Sequence, residues 1–139
     1  MSEWKPSATQ QDILAKLKIG DDIKAITKVA DDLLAQHLTH NSNRLALKEA
    51  ENAVEWAENE VILSGTVTGK NEAERKAQLI KLLHTDKAYQ EALYVQLQLE
   101  ATLATSGAWI AGLEAKAVAL RMAITGKASM LSFLGSTSN

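Results

Sequence analysis

From Tyr89 to Ile124 the chain has neither a proline nor a polar cluster, and apolar residues recur in alternating steps of three and four. Positions 89, 92, 96, 99, 103, 106, 110, 113, 117, 120 and 124 read Tyr, Ala, Gln, Leu, Leu, Ser, Ile, Leu, Ala, Leu and Ile. Nine of these eleven are apolar, which is close to a heptad seam along one long helix. A second stripe runs beside the first: Leu93, Leu97, Ala104, Ala108, Ala111, Ala115, Val118 and Met122. Burying both stripes takes neighbours on two sides, and the alanines let those neighbours approach closely. Such a helix is roughly 50 Å long at about 1.5 Å per residue. A globule of 139 residues is only about 30 Å across. The pattern therefore predicts an all-α, elongated hairpin or bundle with one long C-terminal helix, coiled-coil-like, part of it covered by a second copy.

Composition agrees with a helical reading. The chain has one proline, Pro6, and six aromatic residues, while Ala, Leu, Lys, Glu and Gln dominate. There is no cysteine, so disulfides, thiolate metal sites and cysteine nucleophiles are excluded. The first residues, MSEWKPSATQQD, hold no apolar run of the kind a signal peptide needs. No stretch approaches 18 uncharged apolar residues, so no membrane span is expected, and the expected location is the cytoplasm. The whole chain, 1–139, reads as one helical domain with a leader at 1–6 and a mobile tail at 135–139.

Ser7 stands three residues before Gln10, the spacing of a capping box, and predicts a short helix carrying Ile13, Leu14 and Leu17 that stops at Gly20. Asp21 and Asp22 then open a second helix through Ile23, Ile26, Ala30, Leu33 and His37. The polar run Thr39-His40-Asn41-Ser42-Asn43 reads as its end. A third helix is expected from about Asn43 to Leu63, with a seam of Leu47, Ala50, Val54, Ala57 and Val61. Ala46, Ala53, Trp56 and Leu63 flank that seam, and Glu49, Glu51, Glu55 and Glu58 lie mostly on the other side. Asn71, three before Glu74, caps a modest helix through Ala77, Leu79, Ile80 and Leu83, and Thr85 and Asp86 cap the long one. Gly107 and Gly112 mark places where the long helix can bend. In the tail, Met130, Leu131, Phe133 and Leu134 read as a hydrophobic clasp folding back on the bundle, the alternative being a docking peptide.

The segment SGTVTGKN, residues 64–71, has the look of a phosphate-binding loop. A P-loop needs G-x-x-x-x-G-K-[ST] between a strand and a helix. Here only Thr66, Val67 and Thr68 separate Gly65 from Gly69, Asn71 replaces the magnesium-binding hydroxyl, and an amphipathic helix precedes the loop. Gly65 instead reads as a helix C-cap and Gly69 as a turn residue.

The remaining chemistry is sparse. His37 and His40 are three apart and His84 is distant, and no Glu-x-x-His pair exists for a di-iron bundle, so no metal or cofactor is expected. Neither Ser64 nor Ser106 sits in a G-x-S-x-G elbow. An enzyme is not expected. Charge is uneven although the net value is −2: residues 41–64 balance to −3, whereas 65–87 balance to +2 through Lys70, Arg75, Lys76, Lys81 and Lys87. That basic tip is the candidate contact for phosphates or an acidic protein surface. Trp56 and Trp109 read as core or interface anchors, and an ordered Trp4 implies packing on something.

The stretch EVILSGTVTGKNEAERKAQLIKLLHTDKAYQEAL, residues 60–93, resembles small all-helical accessory proteins of tailed bacteriophages. These share a helix, an "SG…GKN" turn, an "ERKAQL" helix and a long alanine- and leucine-rich helix. The resemblance implies a phage or prophage accessory protein acting on phage or host machinery, and it transfers no functional residue.

Together these readings predict a non-enzymatic protein that self-associates, a dimer being favoured, and binds another protein such as a host defence, replication or recombination component. The expected self-association positions are Leu99, Leu103, Ile110, Leu113, Leu120, Ile124, Trp109 and Trp56. Alternatives are a nucleic-acid-binding accessory protein using the 70–87 tip and a structural virion component.

Overall fold

A computed structural model describes residues 8–64 and 67–137; the leader with Trp4 and Ser7, and Gly65, lie outside the described residues. The chain is all-α, with α1 at Ala8–Leu17, α2 at Ile19–Leu63, α3 at Glu72–Thr85 and α4 at Lys87–Thr137. The long C-terminal α4 packs against α2 as a helical hairpin. Contacts divide the chain into two compact units. The first holds α1, α2 up to His37 and α4 from Trp109 onward; the second, Leu38–Ala108, holds the rest of α2, α3 and the start of α4.

In the first unit α2 turns Ile19, Asp22, Ile26, Val29, Leu33 and Gln36 inward, and α4 turns Ile110, Leu113, Ala117, Leu120, Ile124, Lys127 and Leu131 inward. In the second unit the inward positions of α2 are His40, Asn43, Leu47, Ala50, Val54, Ala57 and Val61. Those of α4 are Tyr89, Ala92, Gln96, Leu99, Leu103 and Ser106. Every one of these positions is buried or half-buried, and the steps are three and four throughout. This is the knobs-into-holes pattern of a coiled coil. The seam expected for α4 is present over its whole length. Two facing helices cover each other on one side only, so few of the described residues are fully hidden: among them Val29, Ala50, Ala57, Leu83, Ile110 and Ala117 form the buried core.

The two long helices run antiparallel in both units. In the first, Asp22 pairs with Lys127 and His37 with Glu114; in the second, His40 meets Ser106. Each unit thus carries a polar seam pair that matches only in one register.

Several sequence expectations are corrected. The polar run at 39–43 does not break the chain: α2 continues through it, with His40 and Asn43 half-buried on the seam and His40 meeting Ser106 there. The first helix stops before Lys18 rather than at Gly20. Lys18 takes a left-handed backbone, φ 54°, and its carbonyl accepts from the amides of Asp21 and Asp22, both at 3.1 Å. Gly107, Gly112 and Gly126 leave α4 unbroken, a single glycine costing only about 1 kcal/mol in a helix. Met130, Leu131 and Phe133 do not form a clasp that folds back, since α4 runs on through them to Thr137 with Leu131 half-buried on the seam and Met130 and Phe133 exposed; the Leu134 side chain lies outside the described residues.

Candidate interaction surfaces

The loop before α3 consumes its own amides. Thr68 and Gly69 both donate their backbone N–H to Gln78 Oε1, at 2.9 and 2.8 Å. Glu74 N–H donates to Oδ1 of the N-cap Asn71, and Lys70 N–H, one residue before the cap, donates to Glu74 Oε2, both at 2.9 Å, a variant of the capping box shifted by one residue. Side chains of α3 therefore fill the place a phosphate would take in an anion-binding loop. A Cβ at Gly69 would lie 2.7 Å from the Arg75 backbone nitrogen, so glycine is needed there for close approach. Sequence spacing found the cap; Gln78 carried no signal, being an ordinary polar helical residue until the loop closes on it.

The cations of this region, Lys70, Arg75, Lys76, Lys81 and Lys87, are all exposed. Lys87 lies 3.9 Å from Glu91. Among the described residues the other four make no ion pair. At about 100° of rotation per residue, Arg75, Lys76 and Lys81 point in three directions around α3 rather than along one stripe. The structure brings them to one element but not to one face.

Beside α3 is an open groove of about 350 Å³, lined by Trp56, Val61 and Leu82 with Glu60, Ser64, Thr85 and Asp86 at its edge. Its polar groups serve the backbone: Asp86 Oδ2 accepts from Tyr89 N–H at 2.9 Å, Thr85 Oγ1 donates to the Leu82 carbonyl, and Ser64 Oγ donates to that of Val61. The groove is a by-product of helix capping with one exposed tryptophan on its rim.

The eight positions expected to mediate association divide into two groups. Leu99, Leu103, Ile110, Leu113, Leu120 and Ile124 lie on the α4 seam, half-buried or buried within one protomer. Trp56 and Trp109 lie off the seams and are 64% and 60% exposed, so neither is a core anchor. What remains uncovered is the opposite side of α4. Tyr94, Leu97, Ala101, Ala104 and Ala108 in the second unit are exposed, as are Ala111, Ala115, Val118 and Met122 in the first. They too follow steps of three and four. Between Leu93 and Gly126 the charged residues of α4 are Glu100, Glu114, Lys116 and Arg121, all at positions flanking the seam. The outward face of α2, by contrast, bears Lys24, Lys28, Asp31, Lys48, Glu49 and Glu55. The exterior of α2 mixes these charges with exposed Leu34, Leu38 and Leu45, whereas the outward row of α4 carries no charge.

Among the described residues no three His, Asp or Glu side chains gather as a metal site requires, and no helix is long and apolar enough to cross a membrane. No protein-family model matches this chain, and no curated protein or solved structure is significantly similar to it.

Proposed function

We propose that this is a non-enzymatic accessory protein of phage type that self-associates and works by binding another protein, such as a host defence, replication or recombination component. The supporting observation is the uncharged outward face of α4. Exposed helix faces of soluble proteins normally carry charge, and an extended uncharged face marks a contact surface. The seam leucines and isoleucines are occupied by α2, so the surface proposed for association is the opposite flank of the same helix.

Light scattering across a range of micromolar concentrations tests the association. A mass that rises toward a dimer supports it, and a monomer at every concentration removes it. Binding of a second protein is tested by quantitative pull-down from host cells, comparing the native chain with Ala111→Glu and Ala115→Glu. A partner retained equally by all three does not use this face.

A second reading, contact with nucleic acid through the basic tip, is favoured by the exposure of Lys70, Arg75, Lys76 and Lys81 without carboxylate partners. Backbone binding by such a cluster weakens steeply with salt. The measurement is a gel shift of labelled DNA at low salt, with Arg75→Glu/Lys76→Glu as the control. Absence of a shift ends this reading.

A further inference from the structure

We infer that two copies of this chain pair antiparallel through the outward face of α2 between Leu38 and Leu63. This contact is separate from the α4 flank proposed above for association, and either can fail without the other. Every position involved belongs to one helix and to the second unit.

Four large apolar side chains on that face are left in water: Leu38, Leu45, Trp56 and Leu63 are each at least 64% exposed. At about 100° per residue they point within about 20° of one another, on the side of α2 opposite its seam. Exposed Ser42, Glu49, Asn52 and Asn59 fill the gaps between them, so the row advances in alternating steps of four and three. It runs for almost four heptads, long enough for a second helix to follow it.

The order of the row names the occupant. It reads apolar, polar, apolar, polar, polar, apolar, polar, apolar, the same from either end. Laid antiparallel on a second copy of itself, it matches at every layer: Leu38 with Leu63, Ser42 with Asn59, Leu45 with Trp56, and Glu49 with Asn52. By two-fold symmetry each layer occurs twice, as an isologous interface requires. The Asn52 amide is a donor for the Glu49 carboxylate, and the Ser42 hydroxyl and Asn59 amide can serve each other. The apolar layers thus close without stranding a polar group.

Charge beside the row agrees. This register sets Lys48 of one copy beside Glu55 of the other, again twice. Among the described residues neither makes an ion pair or a side-chain hydrogen bond within its own chain. Sliding the pair by one heptad in one direction sets Leu45 against Glu49. Sliding it the other way sets Trp56 against Asn52 and carries Leu38 past the end of α2. A parallel pair in register sets Glu49 against its own copy, two like charges. Of these arrangements only the stated one matches apolar with apolar and opposite charges with each other.

Because the chain has no cysteine, introduced thiols report without background. Ser42→Cys and Asn59→Cys chains, each also carrying Ala111→Glu so that the α4 flank does not contribute, are oxidised mildly, alone and then mixed. In the inferred register two copies of either variant hold their thiols roughly 25 Å apart, seventeen residues at about 1.5 Å each. That is far beyond the Cα separation of up to about 7 Å that a disulfide spans. The expected result is a cross-linked dimer from the mixture and none from either variant alone. Cross-linking of a single variant, or none from the mixture, overturns the inference and leaves association through α4 standing. If the mixture cross-links while Ala111→Glu alone leaves the native scattering mass unchanged, the α4 flank is the reading that falls.

An independent measurement exchanges the charges. In the same Ala111→Glu chain, Lys48→Glu and Glu55→Lys should each raise the dimer dissociation constant, read by sedimentation, roughly tenfold, two surface pairs being replaced by like charges. The two changes together should restore the starting affinity. Failure to restore it overturns the pairing.

Discussion

His40 Nδ1 and Ser106 Oγ lie 2.6 Å apart although 66 residues separate them in sequence, and both occupy half-buried positions on the mostly apolar seam. Ser106 Oγ also lies 3.2 Å from the Leu103 carbonyl. With the hydroxyl proton on that carbonyl, Oγ accepts from Nδ1–H of the imidazole. A half-buried polar pair of this kind adds little stability over an apolar layer, but it penalises every other alignment.

Removing one member should therefore cost more than replacing both. Ser106→Ala leaves the imidazole without its partner and should lower stability by about 1 kcal/mol. His40→Leu/Ser106→Leu should be neutral or more stable than the native chain. Urea unfolding followed by circular dichroism decides between these outcomes.

Asp22 and Lys127 repeat the arrangement in the first unit, with side chains only 19% and 27% exposed. Lys127→Met strands a partly buried carboxylate and should cost about 1–2 kcal/mol, discounted from the fully buried case because water still reaches the pair. Adding Asp22→Leu should recover most of that loss. A thermodynamic cycle over the four chains measures the coupling.

Glycine and lysine positions make opposite predictions from backbone geometry. At Gly69 a methyl group would meet backbone at 2.7 Å, so Gly69→Ala should destabilise by more than about 1 kcal/mol. At Gly126 nothing lies within 4 Å, and Gly126→Ala should gain up to about 1 kcal/mol from helix propensity. Lys18 holds φ at 54°, where L-residues are strained, so Lys18→Gly should also gain about 1 kcal/mol. Thermal melts of the three variants give the signs directly.

Gln78 joins the loop to α3 through two amide hydrogen bonds to one oxygen. Gln78→Ala frees both donors, and the amides of Thr68 and Gly69 should then exchange with solvent at least tenfold faster. Hydrogen exchange resolved by residue reads this, while the Glu74 amide, bonded to Asn71, should keep its protection.

On the α4 exterior, Ala111→Glu places charge where association is proposed. Ala111 is exposed in the protomer, so helicity should be unchanged while the scattering mass falls toward the monomer.

The hairpin was legible in the sequence because its seam repeats without interruption. Nine apolar residues out of eleven positions from Tyr89 to Ile124 need no tertiary information to be assigned to one face. The α3 cap was legible for a similar reason, since Asn71 and Glu74 interact locally. What the pattern hid was polar residues inside a seam. His40 and Asn43 look like a loop when read alone, and prove to be half-buried seam positions, with Ser106 opposite His40. Gly126 looks like a stop until Lys127 and Leu131 are seen to continue the steps of three and four. The uncovered side of α4 was half legible: two apolar flanks were visible, but which of them α2 would cover was not, because that choice depends on the pairing of the two helices.

The two seam pairs also order the events of folding. Joining His40 to Ser106 closes a loop of 66 residues, whereas joining Asp22 to Lys127 spans 105. Closure entropy rises with span, so the shorter loop, in the second unit, closes at the smaller cost, by about 0.4 kcal/mol, and is expected to form first. The amides flanking Asp22 and Lys127 should accordingly exchange with solvent sooner than those flanking His40 and Ser106.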